Sequence, residues 1–422
     1  MLFDDYGFSE GLLDLTMSET DLQQRMVIPP WREVMIIALS HHQKPKTGGH
    51  KRFDRLVSYV DQSNQTLLWI TPPRLDGLSS IESDIIRLSP PKAAGSVSAW
   101  LFFEVLRNRN KLRALRGRVR LVFTFGETTI PAAVLVSRLV GAPLSIGVRS
   151  NVPRRARIKR STFPAYKRLL SWTRSTIHHF LLSIAYRYAS HITVQTSHAQ
   201  HEFCRNYNVS QIKVDVIDND LPPDLKSRKQ QRTNFDRPYS LLFIGNDSAV
   251  KGFDTLCKAL ARIDANMTTI RAATLVGVTQ APDYLLDNSL VSVSVLSWAD
   301  NIPDLMDSHD LLLAPSREDQ FPNVVLEALS LGLPVIGSAV DGIKHMLQDP
   351  FVLFRPGDID SLENAIIRVS SAEGYARAKE IAEQRRAYFD FYWEQKYLYL
   401  LTPDTPPLKN NPGPPQHSAH QV

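Results

Sequence analysis

Short apolar runs recur along the second half of the chain with amphipathic stretches between them: SLLFIG (240–245), ATLVGV (273–278), VSVSVL (291–296), LLLAPS (311–316), LPVIGS (333–338) and FVLF (351–354). Each is followed by a helix or a turn. The first half repeats the pattern, with strands expected at Val34 to Leu39, Thr66 to Ile70, Leu121 to Phe125, Leu144 to Val148, Ile192 to Gln195 and Val214 to Ile217. Strands alternating with helices predict parallel, doubly wound sheets. A chain of 422 residues is too long for one core and suits two such domains. The expected division is an acidic extension over 1–30, a first domain over 31–223, a polar basic linker over 224–238, a second domain over 239–401 and a disordered Pro-rich tail over 402–422. The second domain should close with a long helical stretch from Glu373 to Leu401.

Composition adds little beyond class. With 43% hydrophobic and 22% charged residues the chain reads as globular. Two cysteines, Cys204 and Cys257, are too few for a disulfide framework or a structural zinc site, which suggests a reducing cytoplasm. The acidic start lacks the features of a secretion signal. No run reaches about 18 apolar residues, so no span is expected. Charge changes the picture more. The net charge is +6, and no Asp or Glu occurs between Glu127 and Glu202. Within that gap Arg154, Arg155, Arg157, Lys159, Arg160, Lys167, Arg168 and Arg174 mingle with Phe163, Tyr166, Leu169, Leu170 and Trp172. Three readings stay open for residues 154–174: peripheral contact with an anionic membrane, apart from the donor cleft, contact with a polyanion, or a solvated basic loop and helix. No nucleic-acid motif accompanies the charge.

The most informative segment is Pro315-Ser316-Arg317-Glu318-Asp319-Gln320-Phe321-Pro322-Asn323-Val324 and its continuation through Glu327 to Ser338. A buried strand runs into a polar loop holding two acids. A helix follows with Pro322 expected in its first turn, Gly332 stops it, and another strand opens. In parallel units ligands sit beyond the carboxyl ends of strands, where Glu318 to Asn323 would lie. The free N–H groups at the helix start favour an anion such as a diphosphate. Capping alone would explain acids before a helix, but neither Glu327 nor the Pro-Asn step.

This segment resembles the paired-acid signature of retaining glycosyltransferases of the GT-B fold, the group 1 or family 4 class. The resemblance implies two Rossmann-like domains facing across a cleft. It implies that Glu327 holds the ribose of a nucleotide sugar and that Asp319 approaches the transferred sugar. The usual first acid is Glu, so Glu318 is the other reading for that role. Phe321, Pro322, Asn323 and Val324 would complete the donor loop. Lys251, opening a helix after SLLFIG and the loop Asn246 to Val250, matches the family's phosphate-neutralising lysine. The Arg that the family carries about five residues earlier is here Asn246. Gly48-Gly49, in the first loop, matches a Gly pair facing the donor phosphates, although turn chemistry alone also uses Gly.

In the first domain the family's His near the reacting sugar is replaced by Arg149. Arg149, Glu127 and His50 are expected to line the cleft. His345 stands where the family commonly has an acid, either altering donor choice or lying on the surface. The implied activity is transfer of a sugar from a UDP- or GDP-linked donor to a glycan or lipid-linked hydroxyl acceptor, needing no metal and no cofactor, in cell-envelope glycan, polysaccharide or glycolipid assembly. The protein would be cytoplasmic, with peripheral attachment at the inner face of the membrane as the alternative. Two other readings are an inactive GT-B-shaped scaffold and a membrane-tethered adaptor.

Overall fold

The structure, a computed structural model, describes residues 35–42, 48–63, 65–72, 84–87, 97–161, 164–226, 228, 236–263, 267–288 and 290–401. The acidic extension, most of the linker, Val34, Phe163 and the Pro-rich tail lie outside the described residues.

The first domain runs β1 (Met35–Leu39), α1 (Gly48–Gln62), β2 (Thr66–Thr71), β3 (Asp84–Arg87), α2 (Val97–Arg107), α3 (Arg109–Ala114), β4 (Val119–Phe125), α4 (Ile130–Val140), β5 (Leu144–Gly147), α5 (Val152–Ser161), α6 (Ala165–Tyr188), β6 (His191–Val194), α7 (Ser197–Tyr207) and β7 (Val214–Val216). Its strands form a seven-stranded parallel sheet in the order β3-β2-β1-β4-β5-β6-β7. After α8 (Pro223–Lys226) the second domain runs β8 (Ser240–Ile244), α9 (Phe253–Arg262), β9 (Ala272–Val276), α10 (Asp283–Asn288), β10 (Ser292–Leu296), α11 (Ile302–Asp307), β11 (Leu311–Ala314), α12 (Asn323–Ser330), β12 (Val335–Ser338), α13 (Asp341–Leu347) and β13 (Leu353–Phe354). The chain closes with α14 (Ile359–Ser370), α15 (Ala372–Phe389) and α16 (Trp393–Leu401). This sheet has six parallel strands in the order β10-β9-β8-β11-β12-β13.

Both orders reverse direction beside the first strand of the domain, and there the carboxyl-end crevices form. Central strands such as β1 and β11 are buried along their whole length because helices cover both faces. Strand β3 was not expected from the sequence: Asp84–Arg87 offers only two apolar residues, and it pairs at the sheet edge. The expected linker begins as the short helix α8. The helical stretch expected over 373–401 is built of two helices, with Asp390 as the cap that ends α15.

Helix α16 returns to the first domain. Tyr397 Oη lies 2.7 Å from Thr193 Oγ1, and the Trp393 ring meets Phe125 edge-on at 6.1 Å. Beneath it, buried Asp220 accepts from Arg52 at 2.5 Å and from Arg55 at 2.9 Å. A buried carboxylate needs such partners, because an unpaired charge there costs several kcal/mol. These contacts fix how the two crevices face one another.

Candidate active site

The loops after β8 and β11 are pressed together by glycine. Gly252 caps α9 with φ +69°, and a Cβ there would meet Pro315 O at 1.9 Å. Only glycine combines that conformation with that approach. The result is that Lys251 Nζ donates to Asp319 Oδ2 at 2.6 Å. Arg317 staples the same loops, donating to both Asp254 oxygens at 2.6 and 2.7 Å and to Ala249 O at 2.9 Å. From the other side Gly342 donates its N–H to Asp319 O at 3.2 Å, in a space where a Cβ would strike Gln320 O at 2.1 Å. The sequence reading missed Arg317; a basic residue next to the acid pair was its only signal.

Helix α12 starts at Asn323 with Pro322 as its cap, one residue later than expected. Asn323 and Val324 are half-buried at its start. Phe321 is buried, its ring edge-on to Phe389 at 5.6 Å, so it anchors the loop in the core rather than offering a surface to a ligand.

The two acids on either side of this motif share one property. Burial, and then the charge of Asp319, pushes the Glu318 carboxyl up to about 7, against the pull of Arg155, whose Nε is 3.7 Å from Oε2. Burial likewise pushes Glu327 up to about 7; Lys51 and Arg52 of α1 oppose this, and Asp224 adds to it. The charges that act on Glu327 thus include two from α1, the helix that opens with Gly48-Gly49. A carboxyl held near neutrality in a cleft, with cations facing it, is ready to accept hydrogen bonds from a ligand that would ionise it.

Asn246 is exposed, and its Oδ1 accepts from the Ser248 N–H at 3.3 Å and from Ser248 Oγ at 2.5 Å, so it shapes the loop. Arg317 is committed to Asp254, whereas Arg155 acts on Glu318 and Lys51 on Glu327.

Three further expectations change. Arg149 does not line open cleft: its guanidinium packs over the Phe125 ring at 4.6 Å and the Trp393 ring at 5.4 Å, donating to Asn219 Oδ1 at 3.0 Å. Its Nε and Nη2 are buried without a partner, and burial, reinforced by Arg52, lowers its pKa to about 9. His345 is paired with Asp218, Nε2 lying 3.1 Å from each oxygen. The basic segment does not stand apart from the cleft, because Arg154 reaches Asp341 at 2.8 Å and Arg155 reaches Glu318. Glu127 accepts from Ser150 Oγ at 2.6 Å, and His50 stacks on His42 at 4.2 Å.

Two groups among the described residues bring three metal-ligand atoms within 4.8 Å: His41, His42 and His50, and His198, Glu202 and Asp341. Neither is poised for an ion. His42 Nε2 is held by Asp54 at 2.8 Å, and the His42 and His50 rings lie 6° from parallel, so both cannot aim a lone pair at one point. Asp341 is shared between Arg154 and His198.

Residues 238–372 match the family Glycosyl transferases group 1. The chain is 27% identical over 225 residues to an uncharacterized glycosyltransferase, MJ1607, of Methanocaldococcus jannaschii, covering 48% of this chain and 56% of that protein. It is 36% identical over 78 residues to the Escherichia coli UDP-Gal:alpha-D-GlcNAc-diphosphoundecaprenol alpha-1,3-galactosyltransferase, covering 18% of this chain and 20% of the enzyme. The aligned part thus spans about half of the archaeal relative and a fifth of the bacterial one. The structure is similar to sucrose-phosphate synthase from Thermosynechococcus elongatus, with a TM-score of 0.66 and 17% identity over 87% of this chain and 97% of that one. The chain has the GT-B fold.

Proposed function

We propose that this protein is a retaining glycosyltransferase of family 4 type that uses a nucleoside-diphosphate sugar, UDP- or GDP-linked, without a metal ion. The observation that carries the reading is the pairing of Lys251 with Asp319 in the loop after β11, with Glu327 one turn into the helix that follows. Glu327 accepts hydrogen bonds from the donor ribose. Gly48, Gly49 and the start of α12 receive the diphosphate, and Lys251 turns from Asp319 to the phosphate as charge grows on it. Asp319, with Glu318 beside it, is the acid nearest the transferred sugar.

In the reaction the bond from the anomeric carbon to the diphosphate oxygen breaks and a bond to the acceptor hydroxyl oxygen forms on the same face. The hydroxyl proton passes to the departing phosphate oxygen, so no separate base is required. One of the relatives acts, by its name, on a diphosphoundecaprenol-linked sugar. That supports a lipid-linked acceptor, and α6 supports it independently by exposing Tyr166, Ile177, Phe180 and Leu181 to solvent, a stripe suited to an anionic membrane. No helix among the described residues is long and apolar enough to cross a membrane.

Thermal stabilisation by UDP-, GDP- and ADP-sugars, followed by NMR assignment of the product anomer, tests the donor reading. Inversion, or an absolute need for a divalent ion, would overturn it. Sedimentation with anionic vesicles tests attachment, and protein that stays in solution at low salt refutes it.

A further inference from the structure

Helix α5 has two working faces. Arg154 and Arg155 cross to Asp341 and Glu318 of the second domain, while Ala156, Arg157 and Arg160 line a groove of about 920 Å³ between α4, α5 and α6. That volume lies within the ~300–1,000 Å³ of small-molecule sites. The walls are apolar: Ile130 and Val134 from α4, Val152 from α5, Leu182 and Ala185 from α6. At its inner end the groove reaches Glu127 at the carboxyl end of β4. Glu127 is bonded to Ser150, and the adjacent Asn151 bonds Glu318 through its backbone. The groove thus runs along α6 to Glu127, which Ser150 and the adjacent Asn151 link to Glu318.

Its charge is as one-sided as its walls. Arg157, Arg160 and Arg174 line it without a carboxylate partner among the described residues, and Glu127, already engaged by Ser150, is its one acid. Unpaired guanidinium groups at the rim of an apolar cavity match a single ligand that carries both an apolar chain and a phosphate. A flat bilayer docks on a convex face and has no use for a cavity running inward; a chain drawn out of the bilayer does.

We infer that this groove is the acceptor subsite, that it takes one long hydrocarbon chain ending in a phosphate or diphosphate, and that Arg157 and Arg160 hold the phosphate while the hydroxyl-bearing head lies beside Glu318. The inference rests on the glycosyl-transfer reading for its role, but the binding itself requires no catalysis.

Geranylgeranyl phosphate, dispersed below its micelle concentration, tests it on the full chain. Trp172 lines the groove and is more than half exposed, so its fluorescence should shift to the blue in a saturable titration, and Trp172→Phe should lose that signal. Arg157→Ser with Arg160→Ser should weaken binding about 25-fold, at about fivefold per charge. Ser175→Trp, which fills the groove, should weaken it at least about tenfold, since each displaced methylene is worth about fourfold. Ala156→Trp is the second filler should the first not fold. Geranylgeraniol, lacking phosphate, should bind more weakly by the same factor as the double Arg variant. Attachment only to anionic two-chain vesicles, or equal binding by the filled and parent proteins, overturns the proposal. UDP-sugar binding measured on the same variants separates this from a failure of the donor reading, which would appear as absent nucleotide binding in the parent.

Discussion

The state of Glu327 makes donor affinity a function of pH. Its carboxyl sits at about 7 because burial outweighs the attraction of Lys51 and Arg52. Against the ordinary value of 4.5 this is roughly 3 kcal/mol of preference for the neutral form. A ribose donating two hydroxyls needs an ionised acceptor, so binding must first remove the proton. Below pH 7 that costs about 1.4 kcal/mol per unit, and affinity for a nucleotide sugar should fall about tenfold for each unit of acidification. At pH 8 the carboxylate is already formed, and Glu327→Ala should cost about 1.5–3 kcal/mol, or roughly 10–150-fold in affinity. At pH 5 parent and variant should converge, because the parent has lost the same acceptor. The sign for stability is opposite. A raised carboxyl stabilises the free protein at acid pH and loses that contribution as pH rises through about 7, so Glu327→Gln should melt higher than the parent at pH 8 while binding donor worse. Calorimetric titration with a UDP- or GDP-sugar over pH 5–8 reads affinity and proton release together. The sugar-linked form is required because the terminal phosphate of a free diphosphate itself titrates near ~6. Glu318 also sits at about 7, so the series belongs in a Glu318→Gln background as well. Affinity flat from pH 6 to 8 in both backgrounds would refute the assignment of Glu327 to the ribose.

Lys251→Ala should lower kcat by about 100-fold or more while donor KM changes less than tenfold, because the charge it meets grows as the glycosidic bond breaks. Unchanged kcat at saturating donor removes Lys251 from the mechanism. Gly252→Ala should destabilise the fold by more than the about 1–2 kcal/mol of left-handed strain, since its Cβ would also strike Pro315 O at 1.9 Å. Urea unfolding measures this, and a loss within 1 kcal/mol would show that the loop relaxes freely.

The second domain was legible because its signals are local. Two acids and a Pro-Asn step lie within one loop after an apolar strand, a lysine before glycine lies in the loop after another, and the fold joins two motifs each readable by itself, 68 residues apart. Arg317 escaped notice because its partner Asp254 is in the first turn of α9, 63 residues earlier, and nothing in the spacing joins them. The first domain was legible as alternation but not as site. Arg149 follows a buried strand at the position where a catalytic group belongs, yet Trp393 of α16 comes back from the far end of the chain to cover it. Strand β3 was lost for a similar reason: an edge strand of four residues carries little apolar pattern of its own and is defined by its neighbour β2.

The same non-locality explains the two-faced helix α5. Its sequence, VPRRARIKRS, reads as one undifferentiated basic run, and composition alone assigns every charge to one partner. The helical period divides them. Arg154 and Arg155 lie on the side that meets Asp341 and Glu318, whereas Arg157 and Arg160, three apart, share the opposite side with Ala156. Ion pairs open to solvent are worth only about 0.2–1 kcal/mol each, and the half-buried pair of Arg154 with Asp341 is weak enough to break when the cleft opens for exchange of ligands. A chain seated against Arg157 and Arg160 would hold α5 from one face while the donor loop holds it from the other. Acceptor binding would then favour the closed cleft only in so far as it orients α5 toward Glu318. Arg154→Ser with Arg155→Ser should therefore break that link and leave the affinity of geranylgeranyl phosphate independent of bound nucleotide sugar, where the parent binds the two cooperatively. Additive binding in the parent would show that the faces of α5 act separately.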